Sequence, residues 1–332
     1  MKAVVTTRYG PPDVLEFREL PRPVPKAGQV LIRTAAATVT KGDCEFRALD
    51  LPLSLRLMIR LFFGLRRPRR KVLGQEISGE IVQVGKEVTS YKVGDQVFGS
   101  TGASFGAWAE YACLPEKAVM TTLPSNMTFE EAATVPLGGL ESLHFLGEGN
   151  IREGSMVLIN GSGGSIGTYG IQIAKSMGAE VTAVDAGTKL DMMRSIGADH
   201  VIDYQEEDFT ENGVKYDTIF DVVGEAPFPK LLDSLSQGGT FLIANPKRAH
   251  KGSGRRLARR TGKRVVSAYT VQRTEDLVHL KGLIEEDKIR SVIDRRYPLE
   301  QVPDAHRYVE TGQKQGNVVI NVWDGTETGG GP

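Results

Sequence analysis

The rhythm of apolar and polar positions changes once along the chain. Up to about Leu123 the apolar residues come in short runs: Lys2 to Thr7, Leu15 to Leu20, Val30 to Ala37, Ile77 to Val84 and Gln96 to Phe98. Turn-forming stretches separate them, among them Gly10-Pro11-Pro12, Pro21 to Gly28, Gly85 and Gly94-Asp95. This pattern predicts a small, mostly antiparallel β-domain. From about Pro124 helical and strand periods alternate. Met156 to Ile159, Glu180 to Val184, Val201 to Tyr204, Thr218 to Val223, Thr240 to Ala244 and Val265 to Ala268 are the expected strands of a doubly wound sheet. Thr274 to Ile289 reads as a helix and Val318 to Val322 as a strand returning to the first domain. The expected fold class is therefore α/β. Residues 1–123 and 270–324 form one domain, 124–269 the second, and 325–332 a disordered tail.

The second domain turns on the stretch from Ser155 to Asp185. A short apolar run is followed at once by Gly161, Gly163, Gly164 and Gly167, and then by Ile166, Tyr169, Ile173 and Met177 at helical spacing. Strand, glycine turn and helix together form a cradle whose N–H groups and helix start suit a pyrophosphate. About 20 residues on, the next strand ends in Asp185, where a dinucleotide-binding fold keeps the residue that reads the ribose. The spacing is G-x-x-G-x-x-G, so its flanking elements carry the assignment more than the glycines do.

Composition narrows the partners. A chain of 332 residues suits two domains, and 41 acidic against 41 basic residues favour no polyanionic partner such as nucleic acid. Cys44 and Cys113 are too few for a disulfide framework, as expected of a reducing cytoplasm. The opening MKAVVTT passes straight into a strand-like run, leaving no room for a signal peptide, and no apolar stretch reaches the roughly 18 residues of a membrane span.

Several pieces in one order now carry a family resemblance. They are MKAVV at the start, Val39-Thr40-Lys41-Gly42-Asp43, Gly74-Gln75-Glu76 before Gly79, Val93 to Val97, Ala109-Glu110-Tyr111, Gly164-Ser165-Ile166-Gly167 and Ile196 to Asp199. Over nearly its whole length the chain resembles the medium-chain dehydrogenase/reductase superfamily, in particular its zinc-free quinone oxidoreductases of the zeta-crystallin type and related alkenone reductases. The resemblance implies a GroES-like catalytic domain, a Rossmann domain, a cleft between them for the nicotinamide, and a homodimer as the default assembly.

Zinc alcohol dehydrogenases of that superfamily hold catalytic zinc through Cys, His and Cys. The corresponding positions here are Thr40, Gln75 and Gly138, none a strong zinc ligand, and the clustered cysteines of a structural zinc site are absent. The expectation is no metal. Without a Lewis acid, the accessible acceptors are those that spread the arriving charge themselves, quinones or α,β-unsaturated carbonyls. The resemblance places Thr40, Asp43 and Arg47 at the catalytic loop, where a hydroxyl and a guanidinium would stabilise an oxyanion; alternatively Asp43 and Arg47, at i and i+4, simply pair on a helix surface.

For the cofactor, Gly161, Gly164, Ser165, Ile166 and Gly167 are the candidate pyrophosphate residues, with Val223, Gly224 and Asn245 bordering the ribose and nicotinamide. Asp185 alone favours NADH. Lys189 and Tyr204 match positions from which NADPH-dependent relatives hold the 2′-phosphate, so NADPH is favoured and NADH possible. Asn317 stands where relatives carry a Gly-Lys pair near the nicotinamide phosphate. Glu141 replaces a family Thr close to the expected cleft, with no account beyond a charge at a helix N-terminus.

Two basic stretches stay open. Leu51 to Lys71 is an apolar segment followed by clustered Arg, read as a membrane-surface element, a lid over an apolar substrate, or a packed helical insertion with a solvated end. Lys247 to Arg264 is more basic still and lacks the interleaved aromatics of a base-stacking surface. Peripheral membrane contact is compatible with either; stable insertion is not. The competing functional classes are a non-catalytic NADPH-binding protein, crystallin-like or redox-sensing, and an alcohol dehydrogenase-type enzyme.

Overall fold

The structure, a computed structural model, describes residues 1–224, 228–244, 260–267 and 270–323. The chain divides into two compact units, Met1–Pro136 with Arg273–Gly282 and Ile293–Pro332, and Leu137–Gln272 with Leu283–Val292.

The first unit opens with β1 (Lys2–Thr6) and β2 (Leu15–Glu19), an antiparallel hairpin in which Lys2 faces Glu19. The long strand β3 (Gln29–Thr38) follows, then helices α1 (Lys41–Ala48) and α2 (Leu53–Phe63). Next come β4 (Glu76–Val84), β5 (Gln96–Ser100), β6 (Tyr111–Pro115), β7 (Met120–Thr122) and the short helix α3 (Phe129–Ala133). β3 is central because its branched and small residues are buried almost throughout, so it can pair with β4 and β6 and still bury its faces. Trp108 lies fully buried in this core, and its indole N–H donates to Thr38 O at 2.9 Å.

The second unit contains α4 (Val135–Gly147) from Leu137 on, β8 (Met156–Asn160), α5 (Ser165–Ser176), β9 (Glu180–Asp185), α6 (Leu190–Ser195) and β10 (His200–Asp203). It continues through β11 (Tyr216–Asp221), α7 (Phe228–Asp233), β12 (Leu235–Ile243) and β13 (Arg264–Ser267). All six strands are parallel in the order β10-β9-β8-β11-β12-β13. The order reverses between β8 and β11, and the carboxyl ends of those strands form the crevice where such sheets take ligands. Strand β11 stops at Asp221, short of the expected Val223, because the Asp221 carboxylate accepts from Val223 N and Gly224 N and bends the chain away.

The remaining elements are α8 (Thr274–Glu285), β14 (Ile293–Pro298), α9 (Val302–Glu310) and β15 (Asn317–Asn321). β15 pairs antiparallel with β3, and β14 lies parallel beyond it, completing the sheet β14-β15-β3-β4-β5-β7 with β6 on β3. Helix α8 ends before the expected Ile289; Asp287 takes the left-handed conformation (φ 57°), and Lys288 N donates to Leu283 O to close the turn. The expected tail, 325–332, and most of Lys247 to Arg264 lie outside the described residues.

Candidate active site

The glycine turn after β8 is built so that backbone, not side chain, lines it. Gly161 holds φ +87°, and a Cβ there would stand 2.7 Å from Val223 Cγ2. A Cβ on Gly167 would strike Gly161 O and the Ser162 backbone, so the first turn of α5 packs directly on the strand end. Gly164 caps α5 without any side-chain hydrogen bond, which leaves the helix start to an external acceptor. Ser165 and Ile166 follow as the first helical residues. These features fit a dinucleotide pyrophosphate: the cradle exists only because glycines stand at its close contacts.

Asp185 and Lys189 meet behind this turn. Lys189 Nζ lies 2.9 Å from Asp185 Oδ1, and Asp185 Oδ2 accepts from Gly163 N at 2.7 Å. Both side chains are largely buried, and the Lys189 stem crosses the face that a Gly163 side chain would fill. Tyr204 donates its backbone N–H to Asp185 O, while its ring is 56% exposed. Asp221 also accepts from Asn160 Nδ2 at 2.9 Å, tying together the two strand ends that flank the crevice. Val223 and Gly224, with φ +77° at the glycine, sit on the turn it organises. Asn245 lies outside the described residues.

In the first unit, Thr40 and Asp43 form the N-terminal box of α1. Asp43 N donates to Thr40 Oγ1 at 3.2 Å; Thr40 N and Thr40 Oγ1 donate to Asp43 Oδ2 at 2.9 and 2.7 Å. Gln75 Nε2 lies 3.4 Å from Asp43 Oδ1. Asp43 is 2% exposed, and burial pushes its carboxyl up from the ordinary value, against the pull of the Thr40 and Gln75 hydrogen bonds. Gln75, expected only to mark a lost zinc-ligand position, is thus a hydrogen-bond partner of Asp43.

Arg47 requires a correction. It neither pairs with Asp43 nor reaches the surface: it is 1% exposed, and its Nη2 donates to Glu310 Oε1 of α9. A guanidinium closed in this way cannot donate to a substrate oxyanion. Beneath it, Cys44 Sγ lies 3.1 Å from His306 Nδ1, whose ring packs edge-on against Trp108. Burial and the nearby Arg47 charge push His306 down to about 3, and burial drives the Cys44 thiol up, so both are neutral core groups. Asn317, at the start of β15, is fully buried, and Lys314 Nζ donates to Gly316 O beside it.

Thr40 offers a hydroxyl engaged by Asp43 and Gln75 an amide, and among the described residues no group of three or more His, Cys, Asp or Glu could hold an ion. Glu141, on α4, is pushed up to about 7 by desolvation alone. Its neighbour Ser142 donates to Gly138 O and Ile166 O, seating α4 against the first turn of α5.

Residues 26–125 match the alcohol dehydrogenase GroES-like domain, and residues 196–320 match the family described as zinc-binding dehydrogenase. Over 97% of its length the chain is 31% identical to a 2-methylene-furan-3-one reductase of Solanum lycopersicum, of which it covers 79%. The chain belongs to the medium-chain dehydrogenase/reductase superfamily. Another relative is an NADPH-dependent alkenal/one oxidoreductase, chloroplastic, of Arabidopsis thaliana, 31% identical over 96% of this chain and 79% of that protein. Among solved structures of the superfamily, the quinone oxidoreductase from Coxiella burnetii superposes with a TM-score of 0.86 at 29% identity, covering 97% of this chain and 99% of that one. The two units are thus a GroES-like and a Rossmann-type fold.

Proposed function

We propose that the chain is a zinc-independent oxidoreductase that passes hydride from NAD(P)H, with NADPH preferred, to a quinone or an α,β-unsaturated carbonyl. The observation that carries this reading is the uncapped start of α5 with Lys189 and Asp185 held behind it, in a chain whose relatives are named for enone, alkenal and quinone reduction.

When bound, a reduced nicotinamide supplies the hydride. The chain's own residues do the rest. N–H groups about Gly164, Ser165 and Ile166 hold the pyrophosphate, and Lys189 with Tyr204 receives the 2′-phosphate. Hydride arriving at an enone β-carbon leaves charge spread over the conjugated system, so the demand on the protein is one positioned donor and one proton. Thr40 supplies the donor. Asp43 stands behind it at 2.7 Å and, itself held by Gln75, keeps the Thr40 hydroxyl in place. The Thr40 hydroxyl turns from Asp43 Oδ2 to the developing oxyanion, and solvent supplies the proton that completes the product.

Free Cys44 and Cys113 support a reducing compartment, the cytoplasm in this reading. A homodimer is the assembly we infer from the family resemblance. Deuterium placed at the transferring position of NADPH tests the reaction: it should appear on the β-carbon of a reduced enone. Enone reduced without label in that position would contradict the reading.

A further inference from the structure

Among the described residues, the exposed large apolar side chains are concentrated in one place. Leu53, Leu57, Met58, Leu61, Phe62 and Leu65 all lie on α2 or just after it, with Leu53 69% and Phe62 70% exposed. The helix is nonetheless held firmly. Ile59 is buried, and Phe63 packs edge-on against Phe46 at 5.4 Å and Phe105 at 5.8 Å. Its apolar outer face is therefore directed outward by packing on its inner one. Leu57 and Phe62 are both exposed, at 53% and 70%.

Charge follows the same face. Arg56, Arg60, Arg66, Arg67, Arg69, Arg70 and Lys71 are all exposed, and no Asp or Glu occurs from residue 51 to 75. Among the described residues none of these cations is in an ion pair. The chain as a whole has zero net charge, so this is a local concentration. A depression of about 280 Å³ opens beside Arg69, Arg70 and Lys71, and neither Thr40, Asp43 nor Gln75 borders it.

We propose that α2 and the arginine run form an interfacial anchor for an anionic lipid surface. Apolar side chains enter the acyl boundary, the cations meet headgroup phosphates, and the depression receives one of them. A second copy of the chain is the poorer occupant, since a two-fold interface through α2 would set the same cations of both copies against each other. This inference does not depend on the reaction proposed above.

The test uses the full chain in co-sedimentation with vesicles at physiological salt, comparing phosphatidylcholine alone with equal parts phosphatidylcholine and phosphatidylglycerol. The chain should sediment with the anionic vesicles about 100-fold or more better than with the neutral ones. Replacing Arg66, Arg67, Arg69 and Arg70 by Ser should weaken that partitioning about 100-fold or more. Leu61→Glu with Phe62→Glu should abolish it while the circular dichroism spectrum stays unchanged. Equal partitioning onto both vesicles, no partitioning, or partitioning untouched by the α2 variants would overturn the proposal. So would a dimer that the apolar variant dissolves while the unaltered chain ignores vesicles.

Discussion

Lys189 Nζ and Asp185 Oδ1 lie 2.9 Å apart, one helical turn from each other in sequence, and the same carboxylate holds Gly163 N. The cation that would receive a 2′-phosphate and the anion that would repel it therefore partly cancel. Asp185→Asn keeps an acceptor for Gly163 N and releases Lys189; it should shift the ratio of NADPH to NADH affinity toward NADPH by about tenfold, near 1.4 kcal/mol. Lys189→Ala should shift it the other way. Fluorescence titration with both nucleotides measures this, and an unchanged ratio in Asp185→Asn would mean that the carboxylate does not face the ribose.

Gly167 touches Gly161 O and the Ser162 backbone so closely that no side chain fits. Gly167→Ala should push α5 off the turn, costing about 2 kcal/mol or more of stability and weakening both nucleotides alike. Thermal unfolding with and without NADPH reads the two effects separately.

Glu141 is raised from 4.5 to about 7 by desolvation. A raised folded-state value means that stability is fully present below about pH 4.5 and is lost as pH rises through 7. Glu141→Gln removes that loss. At pH 8 the variant should be more stable than the parent by about 1–2 kcal/mol, after allowance for partial exposure, and at pH 4 the two should unfold together. Equal unfolding midpoints at both pH values would contradict the assigned desolvation.

Arg47 is closed under Glu310 and leaves Nε and Nη1 without hydrogen-bond partners in the core. Arg47→Met should keep kcat within a few-fold, whereas a group donating to the oxyanion would cost about 100-fold or more. Glu310→Ala, which strands the buried charge, should cost about 1–3 kcal/mol of stability without changing nucleotide affinity.

The parallel sheet was legible because strands buried on both faces read as unbroken apolar runs, as at Val157 to Ile159, and because glycines mark the turn after β8. The Asp185 position followed from that frame. Strand β14 was missed because Arg295 and Arg296 face solvent at a sheet edge, and β7 because it is three residues long. Arg47 misled for a different reason. Spacing on one helix suggested Asp43 as its partner, but Asp43 is taken up by the Thr40 box, and the true partner is 263 residues away. Long-range pairs of that kind leave no mark in local spacing.

Reduction of conjugated acceptors without a metal is the reaction proposed for this chain. The most direct measurement is NADPH oxidation, followed by the loss of nicotinamide absorbance, against a panel of quinones, alkenals and simple ketones before and after chelator treatment. Turnover should be confined to quinones and alkenals and unchanged by the chelator. Turnover of simple ketones that chelation removes and added zinc restores would contradict it, as would NADPH binding with no turnover of any acceptor.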